Sequence, residues 1–251
     1  MKRIAVVGGG GGLGNAVVEQ LLDRKYDVVV TGRTRPADRR IREFYPIDPI
    51  QADWQSLYQT MEAKAPAPLD GVVFVAGSAV FGRTTRIPLE RARQTVELNF
   101  WACTSAAREA AEYWDARRRP GKFLAILSIV ARRSVPFESY YAASKAATAR
   151  FLECLQLEYA HKGIEFVCAY PGRLRTPFRR RAEWYGLEVN SADDGADVNA
   201  TARAVVNLLA GNRKTRIIGW RERSIDFADR ISPGLYDYAV LQKRIRKLLK
   251  E

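Results

Sequence analysis

The chain has 251 residues, 47% of them hydrophobic, and carries 41 Lys and Arg against 28 Asp and Glu, a formal net charge of +13. That length buries a full core in one α/β domain, and no apolar run approaches the roughly 20 residues of a membrane span. The charge favours anionic partners such as nucleotides, while one histidine and three scattered cysteines argue against a zinc site or a Ser-His-Asp triad.

Ile4 to Val7 reads as a buried parallel strand. It is four residues long and ends in glycine, too short for a signal peptide. It runs into Gly8-Gly9-Gly10-Gly11-Gly12-Leu13-Gly14, six glycines in seven positions. Helical spacing follows, with Val17 and Val18 recurring at Leu21 and Leu22. Glycines at a helix start expose free N–H groups at the positive end of a dipole, which suits a phosphate brought close to the backbone. Further strands are predicted over 26–31, 44–47, 71–77, 123–128, 164–170 and around Ile217-Ile218. Helices are predicted over 89–114, 141–161 and 199–209. Residues 63–68 read as a short surface connection. The alternation argues a single-domain, Rossmann-like doubly wound parallel sheet of about seven strands, with helices on both faces.

Residues 1–220 are expected to form the dinucleotide-binding and catalytic part. Residues 221–251 are expected as an extension of the same domain. There Ser232-Pro233 reads as a helix start. Leu235, Tyr238, Leu241, Ile245, Leu248 and Leu249 fall on one face, and Lys243, Arg246, Lys247 and Lys250 on the other. This basic amphipathic helix is expected to dock on the body or on a neighbouring subunit rather than on an anionic membrane surface. Cys103, Cys154 and Cys168 lie in apolar segments and read as reduced core residues, in keeping with a cytoplasmic protein. No nucleic-acid recognition motif accompanies the basic clusters, so no nucleic-acid partner is expected. Arg117-Arg118-Arg119 reads as a solvated face.

In such sheets ligands bind beyond the carboxyl ends of the strands. The fifth strand ends at Ser128, and Tyr141-Ala142-Ala143-Ser144-Lys145 follows, with Tyr and Lys four apart on one helix face. Here the chain resembles the short-chain dehydrogenase/reductase family, from residue 4 to about residue 220. Gly8-x-x-x-Gly12-Leu13-Gly14 resembles its phosphate loop and Asn99 its helix asparagine. Ser128, Tyr141 and Lys145 resemble its catalytic residues. Tyr170-Pro171-Gly172-Arg173-Leu174-Arg175-Thr176-Pro177 resembles the segment flanking the nicotinamide. The chain departs from the family at Val7, where threonine is usual, and at Phe74-Val75-Ala76-Gly77, where Asn-Asn-Ala-Gly is usual. These changes remove hydrogen-bonding side chains from the cofactor cradle and leave the proton-transfer residues untouched.

The chemistry of the motif can be followed from the side chains. Reducing a ketone needs hydride at carbon and a proton at oxygen. A free tyrosine, with a pKa of about 10, exchanges protons poorly at neutral pH, and a lysine cation nearby favours phenolate. Tyr141 is thus the expected general acid in reduction, or base in oxidation, with Lys145 as its tuner. Ser128 is expected to bond the substrate oxygen. The resemblance implies that Lys145 also holds the nicotinamide ribose and that Asn99 positions a water leading toward Lys145. Cofactor contacts are expected at Gly8, Gly12, Leu13, Gly14, Asp48, Ala76, Gly77, Pro171, Gly172, Leu174 and Thr176.

NAD sites place Asp or Glu after the second strand to bind the ribose 2′-OH. Here Gly32 takes that place and Arg33 follows, which favours NADP(H). Arg173, Arg175, Arg179, Arg180 and Arg181 lie near Phe178, Trp184 and Tyr185, pointing to a carbonyl or alcohol substrate with an anionic group. The resemblance implies a homodimer or tetramer through helices 99–118 and 141–161. A non-catalytic NADP-binding regulator and an epimerase or dehydratase on the same fold are the rival readings. The first has no need of the assembled Ser, Tyr and Lys, and the second commonly carries a larger C-terminal substrate region.

Overall fold

A computed structural model of the chain describes residues 2–65, 67–187 and 195–232. The basic amphipathic helix expected after Pro233 lies outside them. The described residues form a sheet of seven parallel strands in the order β3-β2-β1-β4-β6-β7-β9. These are β1 (Arg3–Val7), β2 (Asp27–Gly32), β3 (Glu43–Pro46), β4 (Gly71–Phe74), β6 (Gly121–Ile126), β7 (Ile164–Pro171) and β9 (Thr215–Ile218). The central strands are continuous apolar runs because helices cover both of their faces.

The helices are α1 (Gly12–Asp23), α2 (Trp54–Ala63), α3 (Leu89–Val96), α4 (Cys103–Ala116), α5 (Ser139–Tyr159), α6 (Phe178–Arg181), α7 (Val198–Ala210) and α8 (Trp220–Ile231). Side chains alternate across each strand. Ala5, Val7, Val72 and Phe74 pack into one core with residues of α2, α4 and α5. Ile4, Val6, Val30 and Val73 pack into the other with residues of α1 and α7. Chain order reverses at β1, which pairs with β2 on one side and β4 on the other. The crevice that this reversal opens lies above the carboxyl ends of both strands.

Some features were not predicted. Two three-residue strands, β5 (Val80–Gly82) and β8 (Glu183–Tyr185), form a small parallel sheet of their own. Helices α2, α6 and α8 were also unforeseen. The long helix predicted from residue 89 contains a π-helical widening over Glu97–Ala102. Cys103 and Cys168 are buried, and burial pushes both thiols up to about 12. Cys154 instead faces out. It shares α5 with buried Leu152 and Leu155 but sits on the opposite side of the helix. The arginine run at 117–119 is not simply solvated. Arg117 pairs with Glu62 and lies 4.1 Å over the Tyr113 ring, while Arg119 reaches Asp70 at 3.6 Å.

Candidate active site

A cleft of about 1350 Å³ runs from the glycine loop to α8. Its near end is main chain. Gly8 N donates to Thr31 O at 2.8 Å, and both Val75 N and Ala76 N donate to Val7 O, at 2.8 and 3.0 Å. The cradle thus holds itself by backbone where threonine and asparagine side chains are missing. Gly8 has φ +84, and a Cβ there would come within 2.7 Å of Ala76 N. A Cβ on Gly14 would run into the Gly8 carbonyl. The first turn of α1, including Gly12, Leu13 and Gly14, lines this end. Its N-terminus has no side-chain cap, so the positive helix end is open to an anion. The residues therefore fit a dinucleotide pyrophosphate. Arg33 and Asp48 also line the cleft, as do Ala76, Gly77, Pro171, Gly172, Leu174 and Thr176.

Farther along, β6 ends and Ser128 turns the chain into a short helical turn. Its Oγ accepts from Val130 N at 3.4 Å. Helix α5 brings Tyr141 and Lys145 to the same place. Tyr141 is buried, with the Phe81 and Phe178 rings each 5.9 Å from its own. Burial raises the phenol pKa, and the Glu138 carboxylate raises it further. The Ser128 hydroxyl and the Arg179 guanidinium oppose that shift. Lys145 Nζ donates to the Ile126 carbonyl at 3.0 Å. Burial pushes the lysine down to about 8, with a smaller opposing influence from Cys103.

Asn99 does not line the cleft but clamps its wall. Its Oδ1 accepts from Ser78 N at 3.0 Å, and its Nδ2 donates to Ser78 O at 2.8 Å and Ser144 Oγ at 3.0 Å. Its carbonyl accepts from Thr148 Oγ1 at 2.9 Å. Both amide hydrogens are spent, so Asn99 can engage a further group only as an acceptor. Gly77 keeps this corner open, since a Cβ there would meet Asn99 Oδ1 at 3.1 Å and Lys145 Nζ at 3.3 Å.

The wall beside Tyr141 holds residues that sequence reading missed. Glu138, beside the first turn of α5, accepts from Arg179 Nη1 at 3.0 Å. Arg179 lies 4.4 Å over the Phe81 ring and 4.9 Å over the Trp184 ring. The arginine expected to greet an anion is therefore already neutralised and stacked. Trp184 Nε1 donates to the Arg179 carbonyl at 3.1 Å, and the β5–β8 pairing fixes this segment over Tyr141. Phe81, Ile129, Val130, Tyr141 and flanking Phe178 and Trp184 form one apolar cluster.

A short chain dehydrogenase family model matches residues 2–184. The chain belongs to the short-chain dehydrogenase family. An uncharacterised oxidoreductase from Myxococcus xanthus (strain DK1622) is 26% identical over 185 residues, covering 70% of this chain and 73% of its own. Dehydrogenase/reductase SDR family member 7B of Bos taurus is 31% identical over 137 residues, 52% of this chain, and the match spans only 42% of that protein. Among solved structures, a short chain dehydrogenase from Burkholderia cenocepacia in complex with NADP superposes with a TM-score of 0.81 at 22% identity, covering 96% and 99% of the two chains. A short-chain dehydrogenase from Leptospira borgpetersenii with bound NAD+ gives 0.64 at 22% identity, covering 69% and 71%. The protein is thus a short-chain dehydrogenase family oxidoreductase with a Rossmann-like sheet. Among the described residues no helix is long and apolar enough to cross a membrane, and no cluster of His, Cys, Asp and Glu could hold a metal ion.

Proposed function

We propose that this short-chain dehydrogenase interconverts a carbonyl compound and its alcohol using NADP(H). The observation that carries the reading is the meeting of Ser128 and Tyr141 on the cleft wall with buried Lys145 one helical turn behind. When bound, the nicotinamide supplies or accepts the hydride. Tyr141 gives the proton to the substrate oxygen in reduction and takes it back in oxidation. Ser128 donates a hydrogen bond to that oxygen where charge develops. Lys145 keeps a cation behind the phenol and holds the nicotinamide ribose. Asn99 fixes the loop carrying Gly77 against α5 and accepts from a water on the Lys145 side.

Gly8, Gly12, Leu13 and Gly14 hold the pyrophosphate at the open end of α1, and Asp48 meets the adenine. Arg33 takes the 2′-phosphate, since no acid stands at Gly32 to take a 2′-hydroxyl. Ala76, Pro171, Gly172, Leu174 and Thr176 line the nicotinamide end. A reducing cytoplasm suits the free cysteines. Trp101 and Leu157 remain exposed on the helices through which a homodimer or tetramer would form. The site is better matched to catalysis than to a regulator, which has no use for a serine held against a buried tyrosine. It also differs from an epimerase in having its substrate wall assembled by the short segment 178–185. The test is consumption of NADPH and of NADH against a panel of ketones and aldehydes. Turnover with NADPH preferred supports the reading, and cofactor binding without turnover on any carbonyl contradicts it.

A further inference from the structure

Helix α8 forms part of the cleft wall. Arg221, Ile225 and Ala228 stand at i, i+4 and i+7, so they share one helix face, and all three line the cleft. The helix is fastened from another side. Buried Asp226 accepts from Arg132 Nε at 2.8 Å and from Nη2 at 3.5 Å. Arg132 also lies 5.3 Å over the Tyr170 ring. Arg132 is four residues after Ser128, and Tyr170 directly precedes Pro171-Gly172. One ion pair therefore ties α8 to the two strand ends that carry the proposed chemistry. Helix α6 and the residue after it contribute Phe178, Arg181 and Ala182 to the lining of the same cleft.

The charges at this mouth do not cancel. Glu138 is committed to Arg179. The Glu222 carboxylate packs back against Gly172 and Gly219. Asp48 belongs to the cofactor end. Arg133 and Arg173 also line the cleft and are engaged in interactions of their own. Arg181 and Arg221 are exposed, and among the described residues neither makes an ion pair with an acid. Behind them lies the apolar wall of Phe81, Ile129, Val130 and Phe178 that leads to Tyr141.

We infer that Arg181 and Arg221 form an anion-binding mouth, and that the substrate is a carbonyl compound with an apolar body ending in a carboxylate or phosphate. This rests on the carbonyl-reducing reading above and names its substrate class. Of the five arginines expected to meet an anion, Arg179 is spent on Glu138, while Arg181 lines the cleft. The Arg181 and Arg221 guanidiniums are solvent-exposed, so their attraction is modest and weakens with salt.

The test is binding of decanoate, of decyl phosphate and of size-matched neutral 1-decanol to the protein saturated with NADPH, measured by calorimetry at low and high salt. Both anions should bind about tenfold more tightly than decanol at low salt, an advantage that shrinks at high salt. In the double variant Arg181→Ser/Arg221→Ser that advantage disappears, while decanol and NADPH bind as before. A preference for only one of the two anions identifies the headgroup and supports the inference. Equal binding of anions and decanol to the natural protein overturns it, as does a double variant that keeps the preference. Because binding is read without turnover, this outcome is separate from the catalytic one. An anion preference in a protein that reduces no carbonyl would leave the mouth standing and overturn the reductase reading.

Discussion

The two ends of the cleft are built by different means. The end proposed for the cofactor is main chain: Gly8 leaves β1, Gly12 and Gly14 open α1, and the backbone of Val7, Val75 and Ala76 holds the wall. The end proposed for the substrate is made of side chains from segments far apart in sequence, namely Phe81, Ser128, Tyr141, Phe178, Arg179 and the Arg221 face of α8. A backbone site must exclude Cβ atoms, so it accepts almost no substitution at its turns. A side-chain site can exchange its residues while the sheet beneath stays the same. The difference predicts unequal damage when each end is altered.

The largest effect on cofactor binding belongs at the glycine loop. Gly8→Val places a branched side chain at φ +84 with its Cβ 2.7 Å from Ala76 N. Backbone strain of this kind costs about 1–3 kcal/mol before the clash is counted, so NADPH binding should fall by about a hundredfold or more. Titration of NADPH fluorescence checks this, and near-normal affinity would show that the loop is not the cradle. Arg33→Ala sharpens the account of cofactor choice. A charge-assisted bond is worth about 1.5–3 kcal/mol, so NADPH should weaken about tenfold or more while NADH is unchanged. Equal losses for both cofactors would remove Arg33 from the 2′-phosphate.

The third effect is a pH dependence. Burial disfavours the charge of Lys145 and pushes its pKa down to about 8. An anionic cofactor prefers the protonated lysine, so raising the pH through about 8 should weaken NADPH binding, by up to about tenfold between pH 7 and 9. Binding then takes up protons in that range, which calorimetry in two buffers of different ionisation enthalpy detects. Lys145→Met should flatten the dependence, and a variant with the natural slope would contradict the assignment. The smallest effect concerns the substrate end. Glu138 raises the Tyr141 pKa and Arg179 lowers it. Glu138→Gln removes the first and frees the second, so the pH profile of alcohol oxidation, which needs phenolate, should move to lower pH. A profile that stays put or moves up would show that the pair only braces the segment.

Legibility in the sequence follows the same division. Buried parallel strands need continuous apolar runs, so the five inner strands could be placed, and the half-buried edge strands β3 and β9 left shorter signals, with ends shifted by a few residues at most. The glycine loop, Ser128, Tyr141 and Lys145 were legible because each lies at the end of a strand or on one helix face. Helix α2 left a signal that was overlooked: Asp53 accepts from Ser56 N at 3.0 Å as its cap, and Trp54, Tyr58 and Met61 recur at helical spacing. Helix α8 left less, because the residue it buries toward the body is Asp226, paired with an arginine 94 positions away. Strands β5 and β8 are three residues each and show no period. The Glu138–Arg179 pair spans 41 positions, and its ends meet through tertiary packing such as the Tyr141–Phe178 ring contact.

The central claim is that Tyr141 transfers the proton. The most direct measurement compares Tyr141→Phe with the natural protein on a carbonyl that the latter reduces, following NADPH oxidation and NADPH binding together. The ring packs between Phe81 and Phe178 in either case, so the fold and cofactor affinity should be retained. Positioned general acids contribute about 10²–10⁴-fold, and turnover should fall by that order. Turnover within about twofold of the natural protein, with NADPH still bound, would show that the proton comes from elsewhere.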